Sequence, residues 1–335
     1  MTISVLGAGA WGTAMALHLV KLGHTVTLVP RRFEMALELG ATRENRDYLP
    51  GFPFPDALQV GFEVPPVLME TEVIILACPV AGLRDWSERV RSGLDGARQI
   101  KLLICLAKGI EPETHLTPSR IVRDLLPELN VGALTGPSHA GEVARGSPTA
   151  LVLATERLDE NTEAVQCALS GPALRIYTSD DLRGAELGGA LKNVYAIAAG
   201  ICDGLGLGDN AKAALLTRIM AEVIRIGESL GARPVTFMGL SGFGDLIATS
   251  YGEWSRNHEF GYGIGSGRTA AELLGGRRTV VEGYRTTESL WSLCQGLAID
   301  APILREVHAI LFEKRKPLDG LGALMGRGLK RESTS

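Results

Sequence analysis

Apolar positions in the first half of the chain fall in short, dense runs. Ile3–Leu6, Thr25–Val29, Val73–Ala77, Leu102–Leu106, Thr149–Leu153 and Leu174–Tyr177 each read as a strand. Val73-Ile-Ile-Leu-Ala77 and Leu102-Leu-Ile-Cys-Leu106 are continuous rather than alternating, which suits a parallel sheet buried on both faces. Thr149–Leu153 and Leu174–Tyr177 are expected to close that sheet. Met15, Leu19 and Leu22 recur at helical spacing after the first run. Beyond Tyr177 the strand pattern stops. Leu187, Leu191, Val194 and Ala198 then form one helical stripe, and Leu215, Ile219, Val223 and Ile226 another.

The first run leads straight into Gly7-Ala-Gly-Ala-Trp-Gly12 and then a helix. Strand, G-x-G-x-x-G and helix in that order are what a dinucleotide site needs. Gly7 makes the tight turn, Gly9 lets a pyrophosphate reach the backbone, and Gly12 packs helix on strand, while the helix amino terminus offers N–H groups to phosphate. The pattern predicts an α/β Rossmann-type dinucleotide-binding domain over residues 1–178. A mainly α-helical substrate domain over 179–335 follows it, the boundary falling at Thr178-Ser-Asp-Asp181. At the end of the second strand, where an acidic residue would bind a ribose hydroxyl, stands Pro30-Arg31-Arg32. Two arginines there suit a 2′-phosphate and favour NADP, although Glu34 leaves a ribose contact, and hence NAD, open.

Composition narrows the class. With 335 residues, 45% hydrophobic and 21% charged, the chain has enough apolar mass for two ordinary domains. A net charge of −4 gives no electrostatic case for nucleic acid or an anionic membrane, so an anionic ligand must meet a local basic site. Five cysteines without a C-x-x-C pair read as reduced thiols of a cytoplasmic protein. The strand pattern begins at once, without a secretion signal, and no apolar run is long enough to insert in a membrane. The six histidines lack ligand spacing, so no metal is expected.

One stretch of the second half carries candidate chemistry. In Glu186-Leu-Gly-Gly-Ala-Leu-Lys-Asn-Val-Tyr195, Lys192 lies off the apolar stripe, among Gly188, Gly189, Ala196 and Ala199. Each helical glycine costs about 1 kcal/mol against alanine, so something must approach that backbone closely. A lysine in small, apolar surroundings loses solvation and suits proton transfer. A helix crossing, with Lys192 reaching out to water, would use the same residues. Asp245, at the end of a glycine-rich stretch, is the carboxylate candidate to work with Lys192. Ser255-Arg-Asn257, a capped helix start, reads either as a phosphate site or as an ordinary cap with a surface arginine. Asp209 or Asn210 is expected to cap the helix before it. Ala107-Lys108-Gly109 and Gly136-Pro-Ser-His-Ala140 follow strands at the edge where such sheets bind ligands; Lys108 alone also reads as a surface lysine, and His139, the one histidine to consider as acid or base, reads more readily as a packed or solvated loop residue.

These stretches together carry a resemblance. Gly7-Ala-Gly-Ala-Trp-Gly-Thr-Ala14, Ala107-Lys-Gly109, Gly136-Pro-Ser138 and Leu187-Gly-Gly-Ala-Leu-Lys-Asn193 stand in family-like order. Gly208-Asp-Asn-Ala-Lys-Ala-Ala-Leu215, Thr236-Phe-Met-Gly-Leu240, Gly244-Asp245, Ser255-Arg-Asn257 and Val280-Val-Glu-Gly-Tyr284 continue it. Over essentially its full length the chain resembles the bacterial-type NAD(P)-dependent glycerol-3-phosphate dehydrogenases. The resemblance implies reversible hydride transfer between NAD(P)H and C2 of dihydroxyacetone phosphate, in a cytoplasmic homodimer supplying glycerol 3-phosphate for phospholipid synthesis. It implies that Lys192 is the catalytic lysine. It implies substrate contacts at Lys108, Gly136, Ser138, Lys192, Asp245, Ser255, Arg256 and Asn257. Cofactor contacts would lie at Ala10, Trp11, Arg31, Arg32, Lys108, Ala140, Arg256, Val280 and Glu282, beside the loop glycines. Three stretches depart from the family pattern: Ala10 replaces a usual serine, Cys78-Pro79-Val80 replaces valine-proline-serine, and His139 replaces a usual phenylalanine. A β-hydroxyacid dehydrogenase also joins these two domain types, but it places asparagine where this chain has Ala196. A non-catalytic nucleotide sensor would need neither Lys192 nor the Ser255–Asn257 cluster.

Overall fold

The computed structural model describes the whole chain except Arg98, residues 276–280, Lys330 and residues 333–335. It divides into two compact units: Met1–Ala190 with Gly231–Asp245, and Leu191–Leu230 with Leu246–Ser335.

The first unit is built on one eight-stranded sheet. Its strands are β1 (Thr2–Leu6), β2 (Thr25–Val29), β3 (Leu58–Val60), β4 (Val73–Leu76), β5 (Leu102–Cys105), β6 (Val131–Thr135), β7 (Thr149–Thr155) and β8 (Leu174–Ser179). They lie in the order β3-β2-β1-β4-β5-β6-β7-β8. Every neighbouring pair is parallel except β6 and β7, so the chain reverses there and β7 and β8 run against the other six. The sheet is thus mixed, with a parallel six-stranded part that carries the dinucleotide loop.

Both faces of that part are covered, as the continuous apolar runs require. Val73 and Ile75 of β4, with Leu102 and Ile104 of β5, pack into a core shared with Met15 and Leu19 of the Ala10–Lys21 helix. Ile74, Leu76, Leu103 and Cys105 point the other way, onto Trp86, Val90, Ile121 and Val122. Consecutive residues of each strand serve opposite cores, so a one-residue slip would exchange them.

The second unit is helical. It contains the carboxyl part of the Leu182–Gly204 helix, then Asp209–Ser229, Arg256–Gly265, Glu282–Gly296, Pro302–Phe312 and Pro317–Met325 among longer segments. Two helices touch backbone to backbone: a Cβ on Gly200 would lie 2.1 Å from the His258 carbonyl oxygen, and one on Gly261 2.1 Å from that of Ile197. Only glycine admits that approach. A buried carboxylate ties the next layer. Glu222 accepts from Tyr195 Oη at 2.9 Å and from the N–H groups of Ile303 and Leu304 at 2.9 and 2.8 Å, capping the Pro302–Phe312 helix. No helix among the described residues is long and apolar enough to cross a membrane.

Candidate active site

The glycine loop follows β1. Gly7 has φ +117°, its N–H donates to Val29 O at 2.8 Å, and a Cβ there would stand 2.3 Å from Ala77 O. A Cβ on Gly12 would fall 2.1 Å from Gly7 O, so the tight turn and the close helix packing are both imposed by the protein's own backbone. Gly9 differs: a Cβ there would meet nothing within 4 Å. Its smallness leaves room above the start of the Ala10–Lys21 helix, which has no side-chain cap and no acidic residue in its first turn. Trp11 Nε1, in the first turn of that helix, is a buried donor with no acceptor among the described residues. An open glycine, an uncapped helix amino terminus and an orphaned donor fit a dinucleotide pyrophosphate.

The loop is held by a residue that the sequence reading missed. Buried Asn45 donates through Nδ2 to Ala8 O at 2.9 Å and to Thr13 Oγ1 at 2.8 Å, fastening the loop from 37 residues away. No local pattern marks such a clamp. Arg31 and Arg32 are exposed after β2, Arg31 near Asp85 at 3.6 Å and Arg32 at the amino end of the Phe33–Thr42 helix. Ala140 opens the Ala140–Arg145 helix and His139 precedes it, with Nδ1 3.6 Å from Glu142 Oε1.

Beyond the carboxyl ends of β5 and β6, Lys108, Gly136, Ser138 and Asp245 converge. Lys108 Nζ donates to Asp245 Oδ2 at 2.6 Å, to Gly136 O at 2.8 Å and to Ser138 Oγ at 3.0 Å. The Lys108 side chain is 13% exposed and that of Asp245 1%, so this ion pair is largely desolvated. The paired glycines of the Leu182–Gly204 helix have their cause here. A Cβ on Gly188 would lie 2.4 Å from the Ser241 carbonyl oxygen, and one on Gly189 3.3 Å from the Lys108 stem. Ser241 belongs to a π-helical turn, Leu240–Gly244, that delivers Asp245 to the first position of the Asp245–Tyr251 helix. Such turns are rare and recur at functional sites.

The second unit holds the rest. Lys192 is buried, 7% exposed, and Nζ donates to the buried hydroxyl Thr249 Oγ1 at 2.7 Å. Asn257 Nδ2 donates to Asn193 Oδ1 at 2.9 Å, and Asn257 Oδ1 accepts from Gly283 N at 3.0 Å. Ser255 caps the Arg256–Gly265 helix, its Oγ accepting from His258 N at 3.2 Å, while Arg256 at the first position is exposed. Glu282 opens the Glu282–Gly296 helix. Val280 lies outside the described residues. Asp209 and Asn210 do not cap their helix; Gly208, at φ 82°, takes the capping position without a side-chain bond. A further cluster escaped the sequence reading. Asp203 Oδ2 lies 2.6 Å from both Lys212 Nζ and His258 Nε2, and Lys212 sits over the Tyr251 ring at 4.0 Å. Burial favours a raised Asp203 pKa, but the bonds from Lys212 and His258 outweigh it and hold the carboxyl below its ordinary range. The cluster anchors the helix that presents Ser255, Arg256 and Asn257. No group of His, Cys, Asp and Glu among the described residues could hold a metal.

A dinucleotide loop on a mostly parallel sheet, followed by a helical part with a buried lysine, defines the class of nicotinamide-dependent oxidoreductases. Comparison with known proteins narrows the class. Residues 2–161 match the family described as NAD-dependent glycerol-3-phosphate dehydrogenase N-terminus, and residues 181–321 the corresponding C-terminus. The glycerol-3-phosphate dehydrogenase [NAD(P)+] of Thermoanaerobacter sp. (strain X514) is 42% identical over 332 residues, 99% of each chain. That of Janthinobacterium sp. (strain Marseille) is 42% identical over 336 residues, again 99% of each. The crystal structure of glycerol-3-phosphate dehydrogenase from Coxiella burnetii superposes with a TM-score of 0.90 at 34% identity, covering 97% of this chain and 99% of that one. The chain belongs to the NAD(P)-dependent glycerol-3-phosphate dehydrogenase family.

Proposed function

We propose that this protein interconverts dihydroxyacetone phosphate and sn-glycerol 3-phosphate, using NADPH in preference to NADH. The observation that carries the reading is Lys192, a buried lysine held 2.7 Å from a neutral hydroxyl, Thr249 Oγ1. When bound, the dinucleotide supplies the hydride that C2 of the substrate takes up. Lys192 Nζ gives a proton to the C2 oxygen as C=O becomes CH–OH, and takes it back in the oxidative direction. Lys108, with the Gly136 carbonyl, Ser138 and Asp245, orients the polar end of the substrate. Ser255, Arg256 and Asn257 hold its phosphate, Arg256 by charge and the capped helix by its N–H groups. Gly7, Gly9, Ala10, Trp11, Gly12, Ala140 and Glu282 line the cofactor's path. The boundary near residue 178 falls where the sheet-bearing part gives way to helices, and residues on both sides of it serve substrate and cofactor. A cytoplasmic homodimer, supplying phospholipid synthesis, is the setting that the resemblance supports.

The test is the fall in NADPH absorbance, and in parallel that of NADH, on adding dihydroxyacetone phosphate. Turnover with that substrate is expected; binding of both cofactors without turnover would exclude it as the substrate. The cofactor preference rests on Arg31 and Arg32. Replacing both by alanine removes two charge-assisted contacts to a 2′-phosphate, each worth about 1.5–3 kcal/mol when well made. At these exposed positions KM for NADPH is expected to rise tenfold or more, with KM for NADH within about twofold of wild type. Equal rises for both would remove the 2′-phosphate role.

A further inference from the structure

A second polar cleft, of about 450 Å³, lies in the first unit away from the dinucleotide loop. The register places it. Thr155 at the end of β7 pairs with Gly132 near the start of β6, and Ser179 at the end of β8 pairs with Ala154. Residues that follow β7 and β8 therefore leave the sheet at the edge opposite the one from which Lys108 and Gly136 emerge. The walls carry Arg120 and Arg123 from the Pro118–Leu125 helix, Arg157 after β7, and Arg183 from the Leu182–Gly204 helix.

The acidic groups of the lining are engaged. Asp181 Oδ2 accepts from Arg233 N at 3.0 Å and Thr236 Oγ1 at 2.6 Å, and Asp180 pairs with the Arg233 side chain. Buried Glu186 accepts from both N and Oγ of Ser119 at 2.7 Å, and burial pushes its carboxyl above the ordinary range. Glu156 takes both terminal nitrogens of Arg123. Arg120 and Arg157 are close enough to act on that same carboxylate through space, and both are exposed. Glu156 is thus paired directly with Arg123 alone, and the Arg120 and Arg157 guanidiniums lie nearby. Arg123 Nε is in addition a buried donor with no acceptor among the described residues. Arginine forks match phosphate oxygens two at a time.

We propose that this cleft binds a small anion bearing two linked phosphate groups, its oxygens taken by Arg120 and Arg157 beside the Arg123–Glu156 pair. The site is separate from the reaction but not remote from its scaffold. Glu186 in its floor and Gly189, against which the Lys108 stem packs, are one turn apart on the same helix.

The experiment is calorimetric titration of inorganic pyrophosphate into the protein saturated with NADPH, which fills the glycine loop. Saturable binding at one site per chain is expected, at least tenfold weaker in the Arg120→Ala, Arg157→Ala double variant. Circular dichroism and NADPH titration of that variant should match wild type, since both side chains are exposed. Inorganic phosphate is expected to bind at least tenfold more weakly than pyrophosphate. Absence of saturable binding, or equal affinity in the double variant, would overturn the site. Equal affinity for phosphate and pyrophosphate would overturn the two-phosphate assignment. None of these readouts depends on turnover of dihydroxyacetone phosphate.

Discussion

Replacing Lys192 by alanine is expected to lower kcat with dihydroxyacetone phosphate by about three orders of magnitude, within the range of a lost general acid. The fold should survive. Lys192 is buried beside Ala196 and Ala199, and its removal leaves Thr249 Oγ1 without that donor and opens a small space. Such a loss costs about 1–3 kcal/mol, less than the stability of an ordinary domain. Cofactor KM should stay within about twofold of wild type, because the glycine loop owes its shape to Gly7, Gly12 and Asn45. Lys192→Arg keeps the charge but holds its proton too tightly to transfer it, and should not restore kcat. Small primary amines added to Lys192→Ala should restore part of the rate, since they supply the missing proton carrier without the missing tether. Near-normal turnover in the alanine variant, measured by NADPH absorbance, would remove Lys192 from the chemistry.

How far the sequence foretells this molecule depends on the range of each interaction. β2 is readable to the residue, because Thr-Val-Thr-Leu-Val is a β-branched run bounded by turn residues. β3, three residues long, offers no run to read. β6 is Val-Gly-Ala-Leu-Thr, and its glycine and alanine weaken the apolar signal; a Cβ on Gly132 would stand 2.8 Å from Ala154 O, so a tertiary contact favours the residue that blurs the pattern. The reversal at β7 is equally invisible, since a half-read strand carries no direction. The helical glycines teach a different lesson. Their cost signals a close approach at Gly188 and Gly189, but the sequence does not say that the approaching groups are a π-turn carbonyl and a lysine stem. Among the site residues, Ser255 is legible as a cap because a cap is local. The Lys108–Asp245 bond spans 137 residues and the Asn45 clamp 37, and neither leaves a mark in spacing.

That long-range ion pair carries the second large effect. Asp245→Ala is expected to destabilise the protein by about 3 kcal/mol, the lower end for breaking a buried pair, because Lys108 keeps Gly136 O and Ser138 Oγ as acceptors. For a unit of about 200 residues that is a fall in Tm of roughly 6–12 °C, measurable by calorimetry. The effect on kcat/KM should be larger than stability alone would give, at least a hundredfold. Lys108 loses the group that fixes its direction, and an orienting cation displaced by about 1 Å forfeits that much. Lys108→Ala should cost as much, now by removing the cation 2.6 Å from a carboxylate that is 1% exposed. The informative quantity is the double variant. If the pair acts as one orienting unit, the second substitution adds little, and the coupling energy should reach at least about 1.5 kcal/mol. Asp245→Asn separates geometry from charge: its amide oxygen can still accept from Lys108, so Tm should recover by about half while kcat/KM stays low. Additivity within about 0.5 kcal/mol would show that Lys108 and Asp245 serve the substrate independently, and that their 2.6 Å contact does not order the pocket.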